Sequence, residues 1–230
     1  MDEAARKLLR RGMARQNLSC TDPQIELLVT YLRELKRWNR KSNLVGFRSD
    51  EALIRHGVLE SLALLTAIQV RPGLRLLDIG SGAGLPGIPL KIAAPDLIIT
   101  LIEAKRRKVS FLRHVCRLLR LRGLSVLQAR AEALHRDPVH REAYDVVTAR
   151  AVARLPEAVT LCTPFLEERE GRLVLPVGPR WPREAETLRR PDLRIEGVLH
   201  PSGDRYLLIL AKAGHVSRET GVRARSERVP

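Results

Sequence analysis

"LLDIGSGAGLPGIPL", residues 76–90, begins as a buried strand and turns into a run of glycines. Gly80, Gly82, Gly84 and Gly87 fall within eight positions, straight after an apolar stretch that carries Asp78. Glycine reaches positive φ and lets a ligand touch the main chain. Four of them between a strand and a helix are more than a tight turn requires, and they read as a nucleotide-type cradle. Taken literally, Gly82-Ala83-Gly84-Leu85-Pro86-Gly87 satisfies the Gly-x-Gly-x-x-Gly dinucleotide pattern, with Glu103 where that pattern places a ribose-binding acid. The Gly-Lys-Ser/Thr ending of a phosphate-binding loop is missing, which excludes a nucleotidase of that kind.

Outward from the glycines, the hydrophobic period separates the chain into two parts. "LRLLDI" (74–79), "LIITLIE" (97–103), "LSVLQ" (124–128), "YDVVTAR" (144–150) and "GRLVLPV" (171–177) read as strands. Helical patterns lie between them: one entered at Pro86, one over 104–123 closed by Gly123, and one over 156–166. Such alternation predicts a parallel sheet covered on both faces. "LRIEGVLH" and "RYLLILAK", separated by "PSGD" (201–204), then predict an antiparallel hairpin that completes the sheet. Residues 1–70 read as a helical segment. Within it, Asp22 is expected as an N-cap with Pro23 opening a helix whose apolar stripe is Ile25, Leu28, Val29, Leu32 and Leu35. A second helix is expected from Ser49 or Asp50 through residue 68. The division is therefore 1–70 helical, 71–213 sheet domain, and 214–230 a basic tail without apolar period, expected to be disordered.

Composition sets the setting. The chain has 230 residues, 44% of them hydrophobic, and no apolar run approaches the length of a membrane span. The start, "MDEAARKLLRRGMARQ", has no secretory h-region. Cys20, Cys116 and Cys162 have neither disulfide nor zinc spacing, so reduced thiols, no metal and a cytoplasmic setting are expected. Lys and Arg number 41 against 26 acids, a net charge of +15, and only seven of the 41 are lysines. That excess of arginine favours a polyanionic partner, because guanidinium pairs with phosphate through two donors and stacks on bases.

Three features choose among nucleotide ligands. Asp78 precedes Gly80 by two residues, an anion that suits a ligand carrying an ammonium and a sulfonium better than a pyrophosphate. The terminal hairpin is foreign to the paired halves of a dinucleotide-binding sheet. Only one glycine-rich turn is present, with no second domain to hold a hydride acceptor. S-adenosyl-L-methionine is the expected cofactor.

Taken together, "LLDIGSGAGLPGIPLKIAAP", "LIEAKRRKVSFLRHV", "QARAEAL" and "YDVVTARAVARL" resemble the RsmG (GidB) family of bacterial 16S rRNA guanine-N7 methyltransferases. "RWNRKSNLVGFRSDEALIRHGVLESL" resembles the leading helical segment of that family, and the match runs over about residues 25–212. The resemblance implies a class I S-adenosylmethionine-dependent methyltransferase fold, a Rossmann-like α/β sheet with an N-terminal helical extension. It also implies a methyl transfer to N7 of a guanine in 16S rRNA, or in the small ribosomal subunit; a monomer is expected. Carried over residue by residue, it puts Gly80, Gly82 and Leu85 at the cofactor's glycine loop, Glu103 on the ribose hydroxyls and Ala104 against the adenosine. Ala131 and Glu132 then border the adenine, and Arg150 reaches the cofactor. Arg150 stands at the carboxyl end of a parallel strand, where ligands bind in open α/β sheets; the alternative is an ion pair with Asp145 or Glu132. The sequence departs from the family where the fifth strand ends in Pro176-Val177-Gly178, a place where relatives commonly carry lysine before glycine. Glu60 stands where aspartate is usual.

The residues that are missing fit the same chemistry. "TARAVARLP" is no Asn/Asp-Pro-Pro-aromatic loop for an exocyclic amine, and Cys116 and Cys162 fall inside helices, where a buried structural thiol is the simpler reading. Guanine N7 is an accessible lone pair, so no catalytic acid or base is assigned, and alignment supplies the catalysis. Arg150 or Arg154 would add a donor to the guanine O6. With eight aromatic residues in all, RNA would be held by charge. The candidates are Arg37, Arg40, Lys41, Arg48, Arg55, Lys105, Arg106 and Lys108, with Arg154. The competing readings are a nicotinamide-dependent oxidoreductase and a noncatalytic RNA-binding or ribosome-assembly protein.

Overall fold

The computed structural model describes residues 2–150, 154–188, 190–202 and 205–213. Among these, one seven-stranded sheet runs in the order β3-β2-β1-β4-β5-β7-β6. The strands are β1 (Arg75–Ile79), β2 (Ile98–Glu103), β3 (Leu124–Gln128), β4 (Val146–Ala149), β5 (Arg172–Val177), β6 (Leu193–Ser202) and β7 (Arg205–Lys212). The first five are mutually parallel, and β7 lies antiparallel to both β5 and β6. This is the sheet expected from the sequence, with strand limits displaced by a residue or two at some ends. β1 pairs with β2 on one side and β4 on the other, so the winding reverses between β1 and β4. A crevice opens at such a reversal, outside the carboxyl ends of the strands.

Alternation along the strands feeds two cores. Leu76, Ile99, Leu101, Val146, Val174 and Ile209 pack on one face; Leu77, Ile79, Ile102, Val147, Leu173 and Leu208 pack on the other. The first face is covered partly by the N-terminal helices α1 (Asp2–Arg15) and α2 (Asp22–Ser42), whose Leu9, Ile25, Leu28, Leu32 and Leu35 belong to the same buried cluster. Asp22 is not the cap of α2. Thr21 is, in a reciprocal box: its hydroxyl accepts from the Gln24 N–H at 3.4 Å, and the Gln24 side-chain Oε1 accepts from the Thr21 N–H at 2.8 Å. Two further bonds tie α2 to the site: the Tyr31 hydroxyl donates to the Ala83 carbonyl at 2.8 Å, and the Gln24 amide donates to Ile92 at 3.0 Å.

The second N-terminal helix starts with Ser49 as its cap, as expected, but is composite. It passes through α3 (Asp50–Ala52), a π-helical turn (Leu53–Leu59), α4 (Glu60–Leu62) and a 3-10 turn (Ala63–Thr66). Continuous π-helix is rare and clusters at functional sites. Beyond β1 come α5 (Gly87–Ala93), α6 (Arg106–Leu118), α7 (Ala131–Leu134), α8 (Leu155–Cys162) and α9 (Trp181–Ala185); α9 lies where the sequence reading placed no element. Nor does Gly123 close α6. The chain leaves that helix through Arg120 at φ 50°, and the Leu121 N–H returns to the Cys116 carbonyl at 3.0 Å. Gly123 instead takes φ 68° at the entry to β3, beside the Lys91 ammonium. Residues 203–204 of the expected turn and the 214–230 tail lie outside the described residues.

Candidate active site

The four glycines of the opening motif have two different tasks. A Cβ on Gly84 would lie 2.3 Å from Ile88 Cδ1, and one on Gly87 would lie 2.3 Å from Leu101 Cδ2. At Gly87 the reason is the close packing of α5 on β2, whereas Gly84, at φ 86°, also takes a backbone conformation that favours glycine. Gly80 and Gly82 take φ 69° and 59°, and a Cβ on Gly82 would meet nothing closer than 3.6 Å. Here it is the turn itself that calls for glycine, with the main chain bare toward the crevice.

Asp78 is not available to a ligand as the sequence suggested. It is fully buried, its Oδ2 accepts from the Gly87 N–H at 3.1 Å, and Oδ1 has no partner among the described residues. Burial pushes its carboxyl up to about 7, against the pull of the Gly87 bond. Asp78 braces the turn from beneath. The second carboxylate, at the carboxyl end of β2, is Glu103, which is also buried but is held from the glycine turn. Its Oε2 accepts from the Gly82 N–H at 3.0 Å and its Oε1 from the Lys105 N–H at 2.8 Å. Each oxygen keeps a lone pair, so the carboxylate is fixed in place and can still accept from a diol. That donor–acceptor balance fits the ribose of an adenosyl cofactor.

Around it, Ala104 is exposed, Ala131 is buried at the start of α7, and Glu132 is exposed beside it. Leu85 is buried and its side chain packs toward Gly57 in the π-helical turn. Lys108 turns back from α6 so that its ammonium stands over Gly82, at the glycine turn and apart from the exposed arginines of its helix.

Arg150, just past the end of β4, pairs with neither Asp145 nor Glu132. It reaches across to the N-terminal segment, donating to the carbonyls of His56 and, at 3.3 Å, Gly57, and meeting Glu60 Oε2 at 3.4 Å. Glu60 is buried and its Oε1 is 2.8 Å from His56 Nδ1. Burial lowers the pKa of Arg150, while Glu60 opposes the shift. Asp145 is occupied elsewhere, by Arg71 and the Arg75 N–H. The π-helical turn and the first residue of α4 therefore aim two carbonyls and a carboxylate at one guanidinium.

Beside Arg150 a cavity of about 500 Å³ opens at the carboxyl ends of β4 and β5. Arg154, Pro176, Arg180, Trp181, Glu184 and Arg205 stand around it. Of these, the sequence reading singled out Arg154 as a site residue and Pro176 as a departure from the family; the "GPRWPRE" stretch (178–184), with prolines flanking a tryptophan after the fifth strand, was the available signal for Arg180, Trp181 and Glu184. Cys162 is fully buried and its thiol is pushed up by burial, as is that of Cys116, to about 11. Neither is disposed to be a nucleophile.

The expected RNA-binding residues separate as well. Arg37 pairs with Glu34 and Arg55 with Glu51, each at 2.7 Å. Arg40 and Arg48 come together at a cavity of about 270 Å³ that Phe47 also lines. Lys41, Lys105 and Arg106 are exposed, and Arg106, Arg113 and Arg117 make no ion pair among the described residues.

The family described as "GidB: rRNA small subunit methyltransferase G" matches residues 24–190 of this chain. The chain belongs to that family. A protein named ribosomal RNA small subunit methyltransferase G from Roseiflexus sp. (strain RS-1) is 45% identical over 155 residues, 67% of this chain and 65% of the relative. One of the same name from Geotalea uraniireducens is 35% identical over 221 residues, 92% of this chain and 99% of the relative. The chain thus spans 65% of the length of the Roseiflexus relative and nearly all of the Geotalea one. Among solved structures, a precorrin-6y C5,15-methyltransferase from Geobacter metallireducens aligns with TM-score 0.51 and 19% identity, over 66% of this chain and 86% of that one. A variant of MtNAS in complex with S-adenosylmethionine aligns with TM-score 0.54 and 18% identity, over 82% and 78%. At such identities the likeness is one of fold: the mostly parallel class I methyltransferase sheet, with an antiparallel C-terminal hairpin and helices ahead of it. Among the described residues no helix is long and apolar enough to cross a membrane.

Proposed function

We propose that this GidB-family chain transfers a methyl group from S-adenosylmethionine to N7 of a guanine in 16S rRNA, acting as a cytoplasmic monomer on the rRNA or the small subunit. The observation that carries the reading is the placement of two groups on either side of the β1/β4 crevice. Glu103 offers a fixed pair of acceptors, and Arg150 offers donors at the mouth of a nucleotide-sized cavity. When bound, the cofactor supplies a methyl group made electrophilic by its sulfonium. Glu103 holds the ribose hydroxyls, Gly80 and Gly82 let the cofactor approach the main chain, Leu85 backs the loop, and Ala104, Ala131 and Glu132 border the adenosine.

N7 of guanine needs no deprotonation to act as a nucleophile, so the protein has only to align it. Arg150, steadied by Glu60, and Arg154 beside it are placed to donate to O6, which turns N7 toward the methyl group. The basic surface, from Arg40, Lys41 and Arg48 to Lys105 and Arg106, holds the RNA backbone. The test is to map N7-methylguanine in 16S rRNA from cells with and without the gene. One such nucleotide should vanish on deletion and return with the wild-type gene; an unchanged modification map would overturn the proposal.

A further inference from the structure

The large cavity beside Arg150 holds more than an arginine for O6. Four arginines line it, Arg150, Arg154, Arg180 and Arg205, together with two carboxylates, Glu60 and Glu184. The carboxylates differ in what is left to them. Both oxygens of Glu60 are engaged, by His56 and by Arg150. Glu184, on α9, uses Oε2 to accept from the Leu155 N–H at 3.0 Å, where α8 begins, and Oε1 accepts nothing among the described residues. An ionised carboxylate only accepts, so its ligand must bring N–H or O–H donors. Trp181, one turn earlier on α9, adds a flat apolar wall with its ring centroid 6.4 Å from that of Tyr206.

A planar ligand with donors on one edge and acceptors on the other matches these walls. Guanine has both: O6 and N7 accept on one side, while N1–H and the N2 amino group donate side by side on the next. With O6 at Arg150, on the β4 side, and N7 left free for the methyl group, the donor edge points across the cavity to α9. We infer that Glu184 is the specificity-determining residue for the acceptor base, taking the N1–H and N2–H of guanine, with Trp181 as the surface on which the base lies. Adenine would turn the lone pair of its N1 toward the same carboxylate and is rejected by acceptor–acceptor repulsion. This rests on the guanine-N7 reading above and adds to it the means by which the base is chosen.

The experiment is single-turnover methyl transfer to 16S rRNA carrying either guanosine or a single inosine at the acceptor position. Inosine keeps N7, O6 and N1–H and lacks only the 2-amino group. Wild-type protein should act on the inosine RNA roughly tenfold more slowly, since a hydrogen bond to a charged group is removed. Glu184→Gln keeps a carbonyl oxygen for the Leu155 N–H and turns its amide N–H₂ toward the donors of the base. It should be slower on guanosine RNA by roughly ten- to a hundredfold, with the guanosine-to-inosine ratio collapsing to near one. A residue that served only to cap α8 would leave that ratio unchanged by the substitution. A wild-type ratio near one, or a variant that retains the wild-type ratio, overturns the inference, and the wild-type comparison can overturn it even if the variant does not fold. No transfer to the guanosine RNA by wild-type protein would instead overturn the reading on which the inference rests, and the inference with it.

Discussion

Glu103 does two things with one carboxylate: it fixes the backbone at Gly82 and Lys105, and it presents acceptors at the end of β2. Glu103→Ala is expected to weaken S-adenosylmethionine binding by about 1–3 kcal/mol, the worth of charge-assisted bonds removed with the side chain. Calorimetry that finds unchanged affinity would remove the ribose assignment. Asp78 allows a test of a different kind. Its carboxyl titrates near 7 when folded and far lower when unfolded, so the folded state holds the proton more tightly. Stability from this group is therefore full below the unfolded value and is lost as pH rises through about 7. Compared with Asp78→Asn, the cofactor-free parent should lose stability progressively over that window and then run parallel; denaturation midpoints against pH read this directly. Glu103 was legible in the sequence because an acid closing the strand after a glycine turn has few other uses. The burial of Asp78 was not, since an acid at a strand end reads alike whether its neighbours cover it or leave it open. The fold-back of Lys108 onto Gly82 was hidden for a related reason: the "KRRK" run gives no sign of which member turns inward.

Among the elements, the strands were legible because an apolar run bounded by glycine and polar turns has one economical reading. The π-helical turn was not. It takes the same residue types as an α-helix, and its difference lies in which carbonyls are left to other partners. Here those of His56 and Gly57 receive Arg150, and Glu60 follows one residue after the turn. Removing Glu60 leaves a largely buried guanidinium without its counter-charge, so Glu60→Ala should cost about 3 kcal/mol of stability by urea unfolding. A loss under about 1 kcal/mol would mean that the pair behaves as a surface ion pair. α9 escaped notice because five residues with a leading tryptophan and proline carry no period, although they bring Trp181 and Glu184 to the cavity.

For the molecule as a whole, the net charge of +15 pointed to a polyanion, yet charge alone could not say which arginines are free. Arg37 and Arg55 are already paired with neighbouring glutamates, whereas Arg106, Arg113 and Arg117 lie exposed along α6. Replacing these three by alanine should flatten the log–log salt dependence of RNA binding, by about 0.7–0.9 for each phosphate no longer neutralised. Cofactor affinity should hardly change, because the basic side chain at the glycine turn is Lys108. An unchanged slope in salt titrations would place the RNA on another face, such as the one shared by Arg40 and Arg48.

The central claim concerns one atom of one base, and it can be read from the product. Purified protein, S-adenosylmethionine with a labelled methyl group and unmethylated small subunits or their 16S rRNA are combined for a single turnover, and the RNA is digested to nucleosides. The account predicts label in 7-methylguanosine alone, at one position, and its loss with Arg150→Ala. Label in any other nucleoside, or none in the RNA at all, would contradict it.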